Sequence, residues 1–240
     1  SSIEKHFVMG GKISLVPTPI GNLDDVTIRA INTLREVDCI LCEDTRHTGK
    51  LLSHHGISNR LQSFHQYNEH KVLDRIVSEI SAGKHYALVS DAGTPGISDP
   101  GYLLVRSCID SGVKVEVLPG ATALIPSLVG SGFSSEKYIY LGFPPQKKGR
   151  QTFWTTLADE PKTMVLYESP HRILKALNEA KSTFGEDRLA CVVREISKLH
   201  ETYHRGTLLE LAMECEASPY KGEIVLVIEG QSQYDKRQKP

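Results

Sequence analysis

Apolar residues follow two rhythms along this chain. Short runs such as Ile13–Val16 (I-S-L-V), Cys39–Cys42 (C-I-L-C), His85–Val89 (H-Y-A-L-V) and Lys114–Leu118 (K-V-E-V-L) read as strands. Between them, apolar residues recur at helical spacing, as in Val26, Ile28, Ile31, Leu34 and Val37, with Asp25 placed to cap that helix. Further helices are expected over about 45–55, over 70–82 with a stop at Gly83, over 101–111 with a stop at Gly112, and briefly from Thr122. Strand and helix in alternation imply a mainly parallel sheet with helices on its faces, closed by a strand over 137–141.

The stretch G-F-P-P-Q-K-K-G-R (142–150) breaks the periodicity with Gly, paired Pro and three cations, as a linker does. Beyond it the pattern resumes: helix 151–158, strand 163–167, helix 170–184, strand 188–193, a hairpin arm H-E-T-Y-H, helix 207–215 and strand 223–229. The expected organisation is two α/β domains. The N-terminal one spans 12–141 and carries the Gly/Pro-rich loops; after the linker, the second spans 151–230, followed by a polar, disordered tail over 231–240. Residues 1–11 show no pattern.

Composition narrows the class. Net charge is −1 over 240 residues with 24% charged, so no global basic field advertises nucleic-acid binding, although a local patch could still dock one shaped RNA. No run reaches the length of a membrane span and no secretory pattern opens the chain, so no membrane partner and a cytoplasmic location are expected. The five cysteines are scattered in apolar surroundings, as reduced buried thiols are. Cys39 and Cys42 form C-x-x-C inside a strand, where positions three apart point to opposite faces, so no metal site is expected.

Candidate chemistry collects at the carboxyl ends of predicted strands: P-T-P-I-G-N-L-D-D, E-D-T-R-H-T-G-K, D-A-G-T-P-G-I-S-D-P-G and P-G-A-T-A. Ligands of open parallel sheets bind outside those ends. Glycine admits close backbone approach and proline holds a loop open. Phosphate is excluded as the main ligand, because no G-x-x-x-x-G-K-[ST] is present and no G-x-G-x-x-G follows the first strand. A nucleoside with little or no phosphate fits better, and S-adenosylmethionine is one such ligand.

The blocks V-P-T-P-I-G-N-L-D-D-V-T-I-R-A, E-D-T-R-H-T-G-K-L-L, S-F-H-Q-Y-N-E, D-A-G-T-P-G-I-S-D-P-G, V-L-P-G-A-T-A and R-E-I-S-K occur in this order between Ile13 and Gly230. Together they resemble the ribosomal RNA small subunit methyltransferase I family of the tetrapyrrole-methylase superfamily. The second, third and sixth blocks are the narrow ones. The resemblance implies two α/β domains with the cofactor folded in a cleft between them. It also implies 2′-O-methylation of a cytidine in small-subunit ribosomal RNA, with S-adenosylmethionine as cofactor, by a homodimer. It further implies cofactor contacts from Ile20, from Asp91, Ala92, Gly93, Thr94 and Ile97, from Thr122 and Ala123, and from Tyr167 and Glu168 in the second domain. Thr94 stands where metabolite methylases carry an aspartate.

For the chemistry, Glu43 or Asp44 could accept the hydroxyl proton, Asp44 being equally suited to cap the next helix. The family position favours Glu43. His65 could be a base or a ribose ligand, oriented by Asn68 and Glu69, which could instead bind the nucleotide. Lys198 could stabilise an alkoxide or hold phosphate, while Arg194 and Glu195 could form a structural pair or, for Arg194, meet RNA. Arg46 is a phosphate clamp or a partner of the neighbouring acids, and Lys147, Lys148 and Arg150 meet the RNA backbone or are solvated. Two rivals stand beside this reading: a methylase of a tetrapyrrole or other metabolite, and a non-catalytic ribosome-assembly factor that senses the cofactor.

Overall fold

The computed structural model describes residues 10–98 and 100–240. Its contacts divide into two compact units, one ending at Thr122 and the other beginning at Ala123.

The first unit holds β1 (Lys12–Leu15), α1 (Ile28–Glu36), β2 (Cys39–Cys42), α2 (Thr45–His54), β3 (Leu61–Ser63), α3 (Glu69–Ser81), β4 (His85–Leu88), α4 (Tyr102–Asp110) and β5 (Lys114–Val117). The strands pair in the order β3-β2-β4-β1-β5, every pair parallel. Strand side chains alternate between two cores. Cys39 and Leu41 enter the layer under α3 and α4 with Ile76, Ile80 and Leu104, while Ile40 and Cys42 enter the layer under α1 and α2 with Ala30, Leu34 and Leu52. A sheet covered on both faces favours apolar residues at most strand positions, which explains the near-continuous runs in the sequence, and the buried Ser14 among them is hydrogen-bonded to His85 and Glu116.

The second unit holds α5 (Leu124–Ser131), β6 (Tyr138–Gly142), α6 (Arg150–Thr156), β7 (Thr163–Glu168), α7 (Ile173–Phe184), β8 (Leu189–Arg194), β9 (Thr202–Thr207), α8 (Leu208–Ala217), β10 (Ile224–Ile228) and α9 (Gln231–Gln238). Its sheet runs β6-β7-β10-β8-β9, with β6 and β7 parallel and the remaining pairs antiparallel. Helices α6, α7 and α8 pack over one face, and α5 packs against β8, β9 and β10.

Four expectations change. The strand over 137–141 belongs to the second sheet: β6 bonds to β7, so α5 and β6 join the second unit and the division falls at Thr122 rather than after 141. Spacing shows that a strand exists but not which neighbour it joins. Thr27, not Asp25, caps α1, accepting from the Ala30 N–H, because Leu23–Asp25 forms its own 3₁₀ turn capped by Asn22. The edge strand β3 leaves no signal in the sequence, since three residues are too few to carry a period. The tail over 231–238 is helical: Tyr234 donates to Asp187, and Arg237 pairs with the buried Glu229 at 3.2 Å.

All five cysteines are free and buried, and burial pushes the Cys108 and Cys191 thiols up to about 11, which keeps them out of nucleophilic chemistry at neutral pH. Among the described residues, no helix is long and apolar enough to cross a membrane, and no group of three His, Cys, Asp or Glu could hold a metal ion.

Candidate active site

Because all five strands of the first sheet are parallel, their carboxyl ends share one edge, and every chemical block of the first unit sits there. The loops after β1 and β4 are tied together. Thr18 and Gly93 exchange backbone hydrogen bonds at 3.1 and 2.9 Å, Thr18 Oγ1 donates to the Ser90 carbonyl, and Ser90 Oγ donates to the Gly93 carbonyl. The Thr94 hydroxyl donates to the Ala121 carbonyl at 3.3 Å, adding the loop after β5. Gly93 has φ +82°, and a Cβ there would lie 3.4 Å from Ile20, 3.6 Å from the Ala121 carbonyl and 3.9 Å from Thr122. The result is a cradle walled by Ile20, Gly93, Thr94, Ala121 and Thr122.

Asp91 opens this loop. His47 Nε2 donates to its backbone carbonyl at 2.8 Å, while its side-chain Oδ1 is buried with no hydrogen-bond partner. A buried carboxylate oxygen beside bare backbone suits a ligand carrying positive charge. Ala92 and Ile97 lie exposed on the same loop.

Asp44 and Glu43 leave β2 in different roles. Asp44 accepts from the N–H groups of Arg46 and His47 as the N-cap of α2, and these donors hold its carboxyl below the ordinary value. Glu43 is half-buried. Burial raises its carboxyl above the ordinary value, the charge of Asp91 adds to the rise, and His65 opposes it. Asp44→Ala should therefore lower the melting temperature while Asp44→Asn, which keeps an acceptor, melts close to the unaltered protein. Identical melts for all three would remove the cap from consideration.

The overlooked β3 delivers His65 to the same edge. Asn68 fixes it: the Asn68 side chain accepts from the His65 N–H at 2.8 Å and donates to the Ser63 carbonyl at 3.0 Å. His65 Nδ1 accepts from the Tyr67 N–H at 3.2 Å, so the neutral ring carries its proton on Nε2. His65 is thus placed to donate a hydrogen bond rather than to take a proton. The amide of Asn68 is committed to this turn, and Glu69 is only 8% exposed at the start of α3, so neither presents its side chain to RNA as the sequence reading allowed. Arg46 is open to a ligand: its side chain is 91% exposed and only 3.7 Å from Asp44, a weak surface pairing.

In the second unit the expected residues also share an edge. Ile224 lies opposite both Glu168 and Arg194, so the ends of β7 and β8 and the start of β10 are neighbours. Tyr167 is half-buried with its ring edge-on to Tyr140. Glu168 is a correction. Its carboxylate is buried, 3.4 Å from both Arg150 and Arg172, and accepts from the Ser169 N–H, so it is committed internally rather than turned to a cofactor. Arg150 is a second correction, since its side chain is 4% exposed and bonded to Glu168 and Glu179, out of reach of an RNA backbone. Lys147 and Lys148 are exposed. Arg194 donates to the Lys221 carbonyl and to Thr202 Oγ1 in a structural role. Burial works against the charge on Lys198, but Glu195 at 2.8 Å and Glu223 at 3.2 Å raise its ammonium above the ordinary value. Glu223 and His47 went unremarked in the sequence, because their partners are distant along the chain.

A family model described as tetrapyrrole (corrin/porphyrin) methylases matches residues 12–212. A solved uroporphyrin-III C-methyltransferase from Thermus thermophilus, complexed with S-adenyl homocysteine, superimposes with a TM-score of 0.64 at 19% identity, covering 93% of this chain and 100% of that one. A diphthine synthase gives a TM-score of 0.68 at 13% identity over 92% of this chain and 90% of that one. These two likenesses establish the fold. Proteins named ribosomal RNA small subunit methyltransferase I are far nearer in sequence. The one from Synechocystis sp. is 46% identical over 228 residues, 94% of this chain and 81% of its own length. That from Escherichia coli O157:H7 is 46% identical over 224 residues, 92% and 78% of the two chains. Identity of that order, held along nearly the whole chain, means that the chain belongs to the ribosomal RNA small subunit methyltransferase I family of the tetrapyrrole methylases.

Proposed function

We propose that this protein transfers a methyl group from S-adenosylmethionine to the 2′-hydroxyl of a cytidine in small-subunit ribosomal RNA, acting as a homodimer in the cytoplasm. The observation that carries the reading is the gathering of Glu43, His65 and Asp91 at the sheet edge that holds the Gly93 cradle, with Asp91 and His65 in electrostatic reach of Glu43, in a chain of this family. The cradle fits the cofactor. Ile20, Gly93, Thr94 and Thr122 would hold it by backbone and small side chains, with Ala92 and Ile97 as further contacts from the same loop, and the unpartnered Asp91 oxygen favours its positive charge. When bound, the cofactor supplies a methyl carbon activated by a sulfonium.

The chain's own residues have two tasks. They hold the hydroxyl in line, an alignment worth an effective molarity of roughly 10⁵ M or more. They also remove its proton, which a positioned base accelerates by about 10²–10⁴-fold. Glu43, made more basic by burial and by Asp91, accepts the proton. His65, whose Nδ1 is taken by the Tyr67 N–H, donates from Nε2 to the substrate or to Glu43. Arg46, with its side chain 91% exposed, holds phosphate.

Incubating purified small ribosomal subunits with methyl-labelled cofactor and mapping the label tests the reading. Label on a cytidine ribose is the expected result, and label on a base or a small molecule alone would overturn it. Gly93→Val should weaken cofactor binding at least about tenfold by calorimetry, because a β-branched residue is strained at φ +82° and narrows the cradle. Undiminished binding would remove the cradle from the cofactor site.

A further inference from the structure

We infer that Phe143 is a stacking platform for a base of the RNA substrate, displayed by a loop that the buried Arg150 clasps; this rests on the RNA-methylating function proposed above.

The loop begins where β6 ends. Gly142, at φ +65°, turns the chain out of the sheet, and Phe143 follows it 55% exposed. A single exposed ring is ordinary on a protein surface. This one is fixed. It packs T-shaped against Tyr167, centroids 5.7 Å apart at 71°, and Tyr167 packs in turn on Tyr140 at 5.2 Å. Pro144 and Pro145 stiffen the next two positions. The Pro145 carbonyl then accepts from Arg150 Nη1 at 3.0 Å, and the Arg150 N–H donates to the Lys147 carbonyl at 3.2 Å. Arg150 is itself anchored to Glu179 at 2.7 Å and Glu168 at 3.4 Å.

The guanidinium that looked like an RNA contact in the sequence is therefore the loop's internal fastening. What the loop leaves outside is a ring 55% exposed with two exposed lysines, Lys147 and Lys148, close behind it in sequence. It projects from the sheet edge that carries Tyr167, Arg194 and Lys198: Gly142 lies opposite Leu166 in β7, next to the end of that strand. A fixed π-face with flexible cations beside it is the chemistry that recognises an unstacked base on a charged backbone. Preorganisation matters because the ring loses little freedom on binding.

The test replaces Phe143 by Ala, Leu, Tyr and Trp and measures the affinity of a fluorescent single-stranded ribosomal RNA fragment and the KM for small subunits. Phe143→Ala should weaken RNA binding roughly 5- to 150-fold, the range of one base–aromatic stack, without changing cofactor affinity or the melting curve. Tyr and Trp should restore binding and Leu should not, because a packing role needs only apolar volume whereas stacking needs a ring. Lys147→Gln with Lys148→Gln should flatten the salt dependence of RNA binding. Unchanged RNA affinity in Phe143→Ala, rescue by Leu equal to that by Trp, or a change in sedimentation showing that Phe143 instead contacts a second copy would each overturn the platform. If the unaltered protein failed to methylate subunits, the proposed reaction would fall, and the RNA-binding series would still decide the platform.

Discussion

Glu43→Gln should slow single-turnover methylation of small subunits by about 10²–10⁴-fold at saturating cofactor and RNA, the usual contribution of a positioned base, while leaving cofactor affinity intact. The geometry separates this residue from its neighbour. Asp44 is occupied as a helix cap, whereas Glu43 is half-buried and has its carboxyl raised by burial and by Asp91. A base must be deprotonated to work, so the rate should be lost as pH falls through a value above the ordinary carboxylate range, and the Gln variant should lack that limb. The stability sign runs the other way. A raised pKa means that the folded state holds the proton more tightly than the unfolded chain, so the charged form burdens the fold at neutral pH. Glu43→Gln should then melt no lower than the unaltered protein. A normal rate in Glu43→Gln would dismiss it as the base, and a lowered melting point would point to a structural role.

Arg150→Met should damage stability severely. The side chain is almost fully buried and bonds Glu168, Glu179 and the Pro145 carbonyl. Removing one partner of a buried pair costs about 3–5 kcal/mol, because the remaining charge stays desolvated. In a chain of this size that corresponds to a fall in Tm of roughly 6–20 °C. Arg172, 3.4 Å from Glu168, limits the loss without removing it. Adding Glu168→Gln to Arg150→Met should recover part of the stability, since it deletes the uncompensated charge; strict additivity in that double-mutant cycle would show that the two side chains do not interact. A melt of Arg150→Met within a degree or two of the unaltered protein would show that the buried pairing contributes little to stability.

Much of this molecule was written in local order. The mostly apolar runs I-S-L-V, C-I-L-C and H-Y-A-L-V carry the parallel sheet, because a strand covered on both faces has little room for a polar side. The Gly/Pro-rich blocks carried the cradle, because backbone at positive φ and rigid loops require those residue types wherever they fold. Asp44 as the cap also followed from its place between a strand end and the next helix, whereas the raised carboxyl of Glu43 depends on burial and on Asp91, which only packing brings near. Tertiary structure alone decided the rest. Only strand pairing placed β6 with β7 and moved the unit boundary to Thr122, and only the three-residue β3 brought His65 to the sheet edge. Tyr234 and Arg237 gained partners that hold the polar tail as a helix. Above all, Arg150 and Glu168 read as surface contacts in a cationic linker and at a strand end, yet each neutralises the other in the interior. A charge shows in the sequence, but whether water or another side chain neutralises it depends on partners 18 and 29 positions away, and those are chosen when the chain packs.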